Sequence, residues 1–153
     1  MKKLLLLFLL ITNISFSQNY TTAIGFKLGY PGFGALNAKH FIGDQKALEA
    51  SIGGFSRTGY GSGFFLMLDY EINNELDPGF SWYYGGGALS AFTSSKENDD
   101  SYTHMGINGI LGIEYSFEEV PIICSLDSGP FVFFIPRVSF AWGGGLAIRY
   151  AIR

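Results

Sequence analysis

Residues 63–73 read GFFLMLDYEIN. Phe64, Leu66, Leu68, Tyr70 and Ile72 share one parity, and Phe65, Met67, Asp69 and Glu71 share the other. Strict period two predicts a β-strand. One of its faces is wholly apolar or aromatic. The other carries two carboxylates, which need partners if they are buried. A soluble domain turns bulky apolar groups inward and charges outward. Here the reverse assignment makes physical sense, with the bulky face toward lipid and the mixed face toward an enclosed interior.

The same alternation recurs along the chain. In residues 22–30, Ile24, Phe26, Leu28 and Tyr30 alternate with Ala23, Gly25, Lys27 and Gly29. In residues 103–117, Met105, Ile107, Leu111, Ile113, Tyr115 and Phe117 alternate with Gly106, Asn108, Ile110, Gly112, Glu114 and Ser116. In residues 138–150, Val138, Phe140, Trp142, Leu146, Ile148 and Tyr150 alternate with Ser139, Ala141, Gly143, Gly145, Ala147 and Arg149. Four less regular strands are expected near 34–42, 47–58, 80–92 and 121–129, the third blurred by three glycines. Short turns are expected at 43–46, 73–79 and 118–121, with loops at 59–62, 93–102 and 130–136 on the opposite end. That gives about eight strands of about 11 residues, the length of a tilted strand crossing a bilayer. The predicted fold is an all-β, eight-stranded, antiparallel up-and-down transmembrane barrel. Closure satisfies every backbone edge, as a lipid environment requires.

Composition agrees. The chain has 153 residues with 21 glycines, 17% aromatics and only 15% charged residues. An apolar content of 48% with a net charge of −3 excludes a disordered chain. Thirteen acidic against ten basic residues argue against a nucleic-acid partner. Cys124 is the single cysteine, so no disulfide forms within the chain and the residue reads as a small hydrophobe.

The first residues read as an address. Lys2 and Lys3 precede an apolar run over 4–11, followed by small and polar residues to Ser17 and Gln18. This is the pattern of a secretory signal peptide, and the run is too short for a spanning helix. The expected organisation is a signal peptide over 1–18 and a barrel domain over 19–153, placed in the cell outer membrane after cleavage. The main structural rival is a secreted, lipocalin-like soluble binding barrel. That reading leaves Gly25, Gly29, Gly106 and Gly112 on a solvent face, where glycine only weakens a strand. Inside a narrow barrel, filled by its own side chains, small residues have a use.

On this parity the interior receives Lys27, Lys39, Arg57 and Arg149 against Glu49, Asp69, Glu71, Glu114 and Asp127. Buried charges persist when paired and hydrogen-bonded. Near balance predicts an ion-pair network that plugs the lumen. The functional alternative is a narrow, porin-like channel or transporter for small solutes, with these groups as its polar path.

Little catalytic chemistry survives scrutiny. His40 sits in Lys39-His40-Phe41 near a turn. His104 follows Asp99, Asp100 and Ser101, which sketches a Ser–His–acid set within and beside one loop. Outer-membrane lipid A deacylases carry a His and a Ser two residues apart on a strand. Here Met105 and Gly106 follow His104, so that pattern is missing. The acidic run over 96–100 matches no calcium-loop spacing and reads as a solvated loop. The glycine triplets at 85–87 and 143–145 lack the Lys-Ser/Thr of a phosphate loop and read as sites of barrel curvature. No catalytic residue, metal ligand or cofactor is expected.

Several blocks carry a family resemblance: residues 24–30 (IGFKLGY), 39–41 (KHF), 82–88 (WYYGGGA), 106–117 (GINGILGIEYSF), 119–122 (EVPI), 125–127 (SLD) and 146–150 (LAIRY). Together they resemble the small outer-membrane β-barrel proteins of the Bacteroidota, which are Gram-negative bacteria. The resemblance implies an eight-stranded outer-membrane barrel with no established activity. Such barrels usually end on an aromatic residue read by the insertion machinery, whereas Tyr150 is followed here by Ala151, Ile152 and Arg153. The stretch over 130–136 is an unusually apolar loop that suits contact with lipid or a partner. The expected protein is therefore non-enzymatic and monomeric, with a structural or surface-interaction role. Its expected partners are outer-membrane lipid and, during assembly, the barrel-insertion machinery.

Overall fold

Turn chemistry and strand parity together decide the architecture. The computed structural model describes residues 20–57, 61–94 and 101–152. They form eight strands: β1 (Thr22–Gly29), β2 (Gly32–Phe41), β3 (Lys46–Arg57), β4 (Gly61–Asp77), β5 (Phe80–Ser94), β6 (Ser101–Ser116), β7 (Ile122–Ile135) and β8 (Ser139–Ile152). Each pairs antiparallel with its sequence neighbours, and β1 pairs with β8 from Thr22–Ile152 to Gly29–Gly145, closing the barrel. No described helix is long and apolar enough to cross a membrane, and β-barrels cross with strands instead.

The orientation is the one that the parity predicts. Phe26 is 66% exposed, Leu68 54% and Trp142 67%, whereas Arg149 is 1% exposed. Bulky apolar side chains thus form a continuous outer belt, and the charges lie inside. Aromatic residues band both ends of the belt, as bilayer interfaces favour. Toward the turn end, Trp82 stacks on Tyr84 at 5.4 Å and Tyr115 meets Phe117 edge-on at 4.8 Å. Toward the loop end, Phe64 stacks on Phe92 at 4.8 Å. This arrangement runs against the soluble-barrel alternative, which needs the bulky face at the centre.

Several strands run beyond the sequence expectation. β4 continues through residues 73–77, so the expected turn over 73–79 contracts to Pro78-Gly79, where Gly79 takes φ 77°. β7 continues through residues 130–135 rather than ending in a loop. Its ladder to β6 passes from Leu111–Ser128 to Asn108–Phe131, leaving Pro130 unpaired on that side, while Pro130 still lies opposite Trp142 on β8. A proline without an N–H fits where a ladder skips it. Gly61 and Ser62 belong to β4, Thr93 and Ser94 to β5, and Ser101 and Tyr102 to β6. The expected signal peptide over 1–18, the loop centres at 58–60 and 95–100, and Arg153 lie outside the described residues.

Tyr30 also departs from expectation. The register shifts between Lys27 and Gly29, and Gly29 takes φ 141°. The bulge breaks the alternation. The Tyr30 ring folds over the barrel end, against Phe131 at a centroid distance of 4.7 Å, instead of joining Ile24, Phe26 and Leu28 on the lipid face.

Candidate functional site

Eight antiparallel strands leave an interior just wide enough for side chains to fill. Here it fills in three layers. At the turn end, Tyr20, Ala23, Phe41, Ala47, Ile123 and Ala151 form an apolar plug, with Tyr20 edge-on to Phe41 at 5.2 Å. Toward the loop end, Ala35, Phe65, Met67, Leu89, Ala91 and Phe131 form a second plug, against which Phe55, Phe133 and Ala141 pack. The charged residues occupy the middle layer.

Of the nine charged residues expected inside, eight are described and all are buried. The side chain of Arg57 lies outside the described residues. Seven of the eight form one linear chain of alternating sign. Asp127 contacts Lys27 at 2.7 Å, and Lys27 contacts Glu49 at 2.8 Å. Glu49 pairs with Arg149, and Arg149 reaches Glu114 at 3.2 Å. Glu114 pairs with Lys39 at 3.0 Å, and Lys39 lies 3.0 Å from Glu71. The last contact is one of proximity, because the directed hydrogen bonds of Lys39 go to Asn73 Oδ1 at 2.8 Å and to Glu114. Both ends of the chain are carboxylates. Asp69 stands apart and, among the described residues, accepts only from Asn108 Nδ2, at 2.6 Å. The described interior carries three cations and five carboxylates; Arg57, the fourth cation expected there, is not among the described side chains.

Neutral side chains complete the layer, and sequence reasoning passed over them. Asn37 donates to Glu49 at 3.0 Å and Ser51 at 2.8 Å, and it accepts from Arg149 Nε. Arg149 also donates to Ser125 at 2.9 Å. The Tyr83 hydroxyl donates to Asp127 at 3.0 Å, and the Lys39 ammonium sits 4.4 Å from the Tyr83 ring centroid. Tyr20, just ahead of β1, donates to Glu114 at 2.6 Å. Burial, reinforced by the Glu114 carboxylate, raises the Tyr20 phenol well above its ordinary range, so it stays a donor. The signal for Tyr83 lay in the register. It faces Asn73 on β4 and Gly112 on β6, two inward positions.

Interior glycines make room for these long side chains. A methyl on Gly112 overlaps the Tyr83 ring and comes 2.9 Å from Asp127 Cβ. One on Gly87 overlaps the Asp69 carboxylate, and one on Gly145 meets Lys27 Cε at 2.8 Å. One inward member of each glycine triplet, Gly87 and Gly145, thus clears space for the charged layer, whereas a methyl on Gly143 meets the Tyr30 ring. Gly112→Ala is expected to lower stability by about 1–3 kcal/mol through overpacking. The urea midpoint of the barrel refolded in vesicles reads this. Gly109→Ala serves as the control, since its added methyl meets only Pro130, at 3.4 Å.

The lumen retains little space. Between the charged layer and the loop-end plug, the cavity bounded by Lys27, Met67, Asn108, Asp127 and Phe131 measures about 10 Å³, at the lower limit for a single water. The two histidines lie apart. His40 is exposed on the outer face of β2, with its ring nitrogen 2.8 Å from Thr22 Oγ1. His104 is half-buried at the loop end of β6, opposite Ala91, and Asp99 and Asp100 lie outside the described residues.

Fold and site together define a closed, eight-stranded antiparallel barrel with an apolar outer belt and a filled interior. Among solved structures, the N-terminal β-barrel domain of OprF from Pseudomonas aeruginosa aligns with a TM-score of 0.64. The alignment covers 88% of this chain and 100% of that one at 17% identity, a likeness of fold alone. No family model and no curated protein matches the chain, so these comparisons lend no support to a Bacteroidota origin.

Proposed function

We propose that this protein is a non-enzymatic, monomeric outer-membrane barrel, plugged along its axis, with a structural or surface-interaction role at its loop end. The observation that carries this reading is the combination of an outward apolar belt with an unbroken ion-pair chain between two apolar plugs. The belt suits insertion into outer-membrane lipid, and strand closure suits assembly by the barrel-insertion machinery. The blocks quoted above support a place among the small barrels of the Bacteroidota. The plug acts through filling and charge pairing: a passing ion would have to displace packed side chains, most of whose charges are paired with one another.

The test has two parts. Envelope fractionation is expected to place the protein in the outer membrane, as a band whose gel mobility changes on boiling. In planar bilayers the purified barrel is expected to be electrically silent. A stable, reproducible single-channel step would replace the plug with the narrow-channel reading. A periplasmic or secreted, non-heat-modifiable protein would overturn both.

A further inference from the structure

Above the loop-end plug the barrel opens into a cup of about 1,320 Å³. Its floor includes Phe55, Ala91 and Phe133, which belong to or pack on the plug. Register places the wall residues on the inward face: His104 pairs with Ala91, Tyr102 with Thr93, and Ser139 with Phe133. Tyr30, Pro31 and Phe33 form one side of the rim, and Pro136 and Arg137 form another. Phe33 is 81% exposed at that rim.

Charge separates this cup from the layer beneath. No carboxylate lines it among the described residues, whereas five lie in the middle of the barrel. Arg137 is exposed at its edge and forms no ion pair with a described residue. The His104 imidazole adds a hydrogen-bonding group to the wall. The apolar plug lies between the cup and the acidic chain, so among the described residues an anion in the cup meets a guanidinium and aromatic rings and is set apart from the five carboxylates beneath.

We propose that the cup binds a small anionic amphipath of the alkyl- or aryl-carboxylate class, with its apolar body on Phe55, Phe133 and Phe33 and its carboxylate at Arg137. The proposal rests on the surface-interaction reading above and gives that surface a ligand class. Arginine suits the role because its planar fork pairs with a carboxylate through two hydrogen bonds. A concave, mainly apolar site with a few placed polar groups is the usual form of a small-molecule pocket. The filled layer beneath makes the cup a place of retention, not the entrance to a path.

Octanoate is the probe, titrated calorimetrically into the barrel held in zwitterionic lipid nanodiscs, with empty discs subtracted. Saturable binding is expected for octanoate, with octyltrimethylammonium giving none. Arg137→Gln is expected to weaken octanoate about tenfold, the scale of one charge-assisted contact, and Arg137→Lys to restore part of the loss. Ser139→Trp, which fills the cup from an exposed position, is expected to abolish binding. A heat-modifiable band from the same sample establishes that each variant is a folded, inserted barrel. A folded barrel that takes up no more octanoate than empty discs overturns the cup while leaving the outer-membrane reading intact. So does equal binding of the cationic amphiphile, or wild-type affinity in both Arg137→Gln and Ser139→Trp. Absence of the heat-modifiable form in the wild type instead overturns the barrel reading itself.

Discussion

Arg149→Leu is expected to lower the unfolding free energy by about 3–5 kcal/mol, the range seen when one partner of a buried ion pair is removed. Arg149 is the hub of the charged layer. Its guanidinium bonds Glu49, Glu114, Asn37 and Ser125, which sit on four different strands. Leucine fills much of the space but leaves two buried carboxylates short of a partner. The measurement is urea unfolding of the barrel in lipid vesicles, followed by tryptophan fluorescence and by the boiled–unboiled gel shift. Arg149→Lys keeps the charge but loses the fork, so it should fall between wild type and Arg149→Leu. An unchanged midpoint for Arg149→Leu would show that the network contributes nothing to stability.

Leu68→Arg is expected to cost about 2–4 kcal/mol, the penalty for a cation at the bilayer midplane on a barrel's lipid face. Leu68 lies near the middle of β4, is 54% exposed and is flanked in register by Ala50 and Ala88. On a soluble protein an exposed position of this kind tolerates arginine with a change within about 0.5 kcal/mol. The two environments therefore give opposite results for one substitution. The same vesicle assay reads it, and a null effect would remove lipid from the outer surface.

Both predictions derive from parity, and parity was legible wherever large and small residues alternate without interruption. β1, β4, β6 and β8 present this pattern, and their lipid faces follow from it directly, apart from Tyr30 at the β1 bulge. β5 was obscure because Gly85, Gly86 and Gly87 carry no side chain to mark a face. Their register with Glu71, Tyr70 and Asp69 settles it. The extension of β7 was hidden by Pro130, which reads as a break until the skipped rung of the β6 ladder is seen.

The charged residues of the site were legible as a list but not as a chain. Which cation meets which carboxylate depends on the barrel's stagger, which brings Lys27 of β1 to Asp127 of β7 and Lys39 of β2 to Glu114 of β6. Short-range patterns carry no information on such distances. The apolar plugs were hidden for another reason. Phe65 and Met67 share a face with Asp69 and Glu71, and a rule that assigns small and charged residues to the inside overlooks bulky ones that stack above them.

The position of the hub at the end of the chain ties neutralisation to the seam. Arg149 rides on β8, which pairs with β1 across the edge that closes the barrel. Until β8 joins, Glu49 on β3 lacks the Arg149 guanidinium that it contacts in the finished wall, while Lys27 stands two strands away on β1, on the same side of the seam. An open sheet of seven strands thus carries an electrostatic debt as well as bare edges. Sealing the cylinder cancels both in a single event, which favours an all-or-none final step over a ladder of half-closed forms.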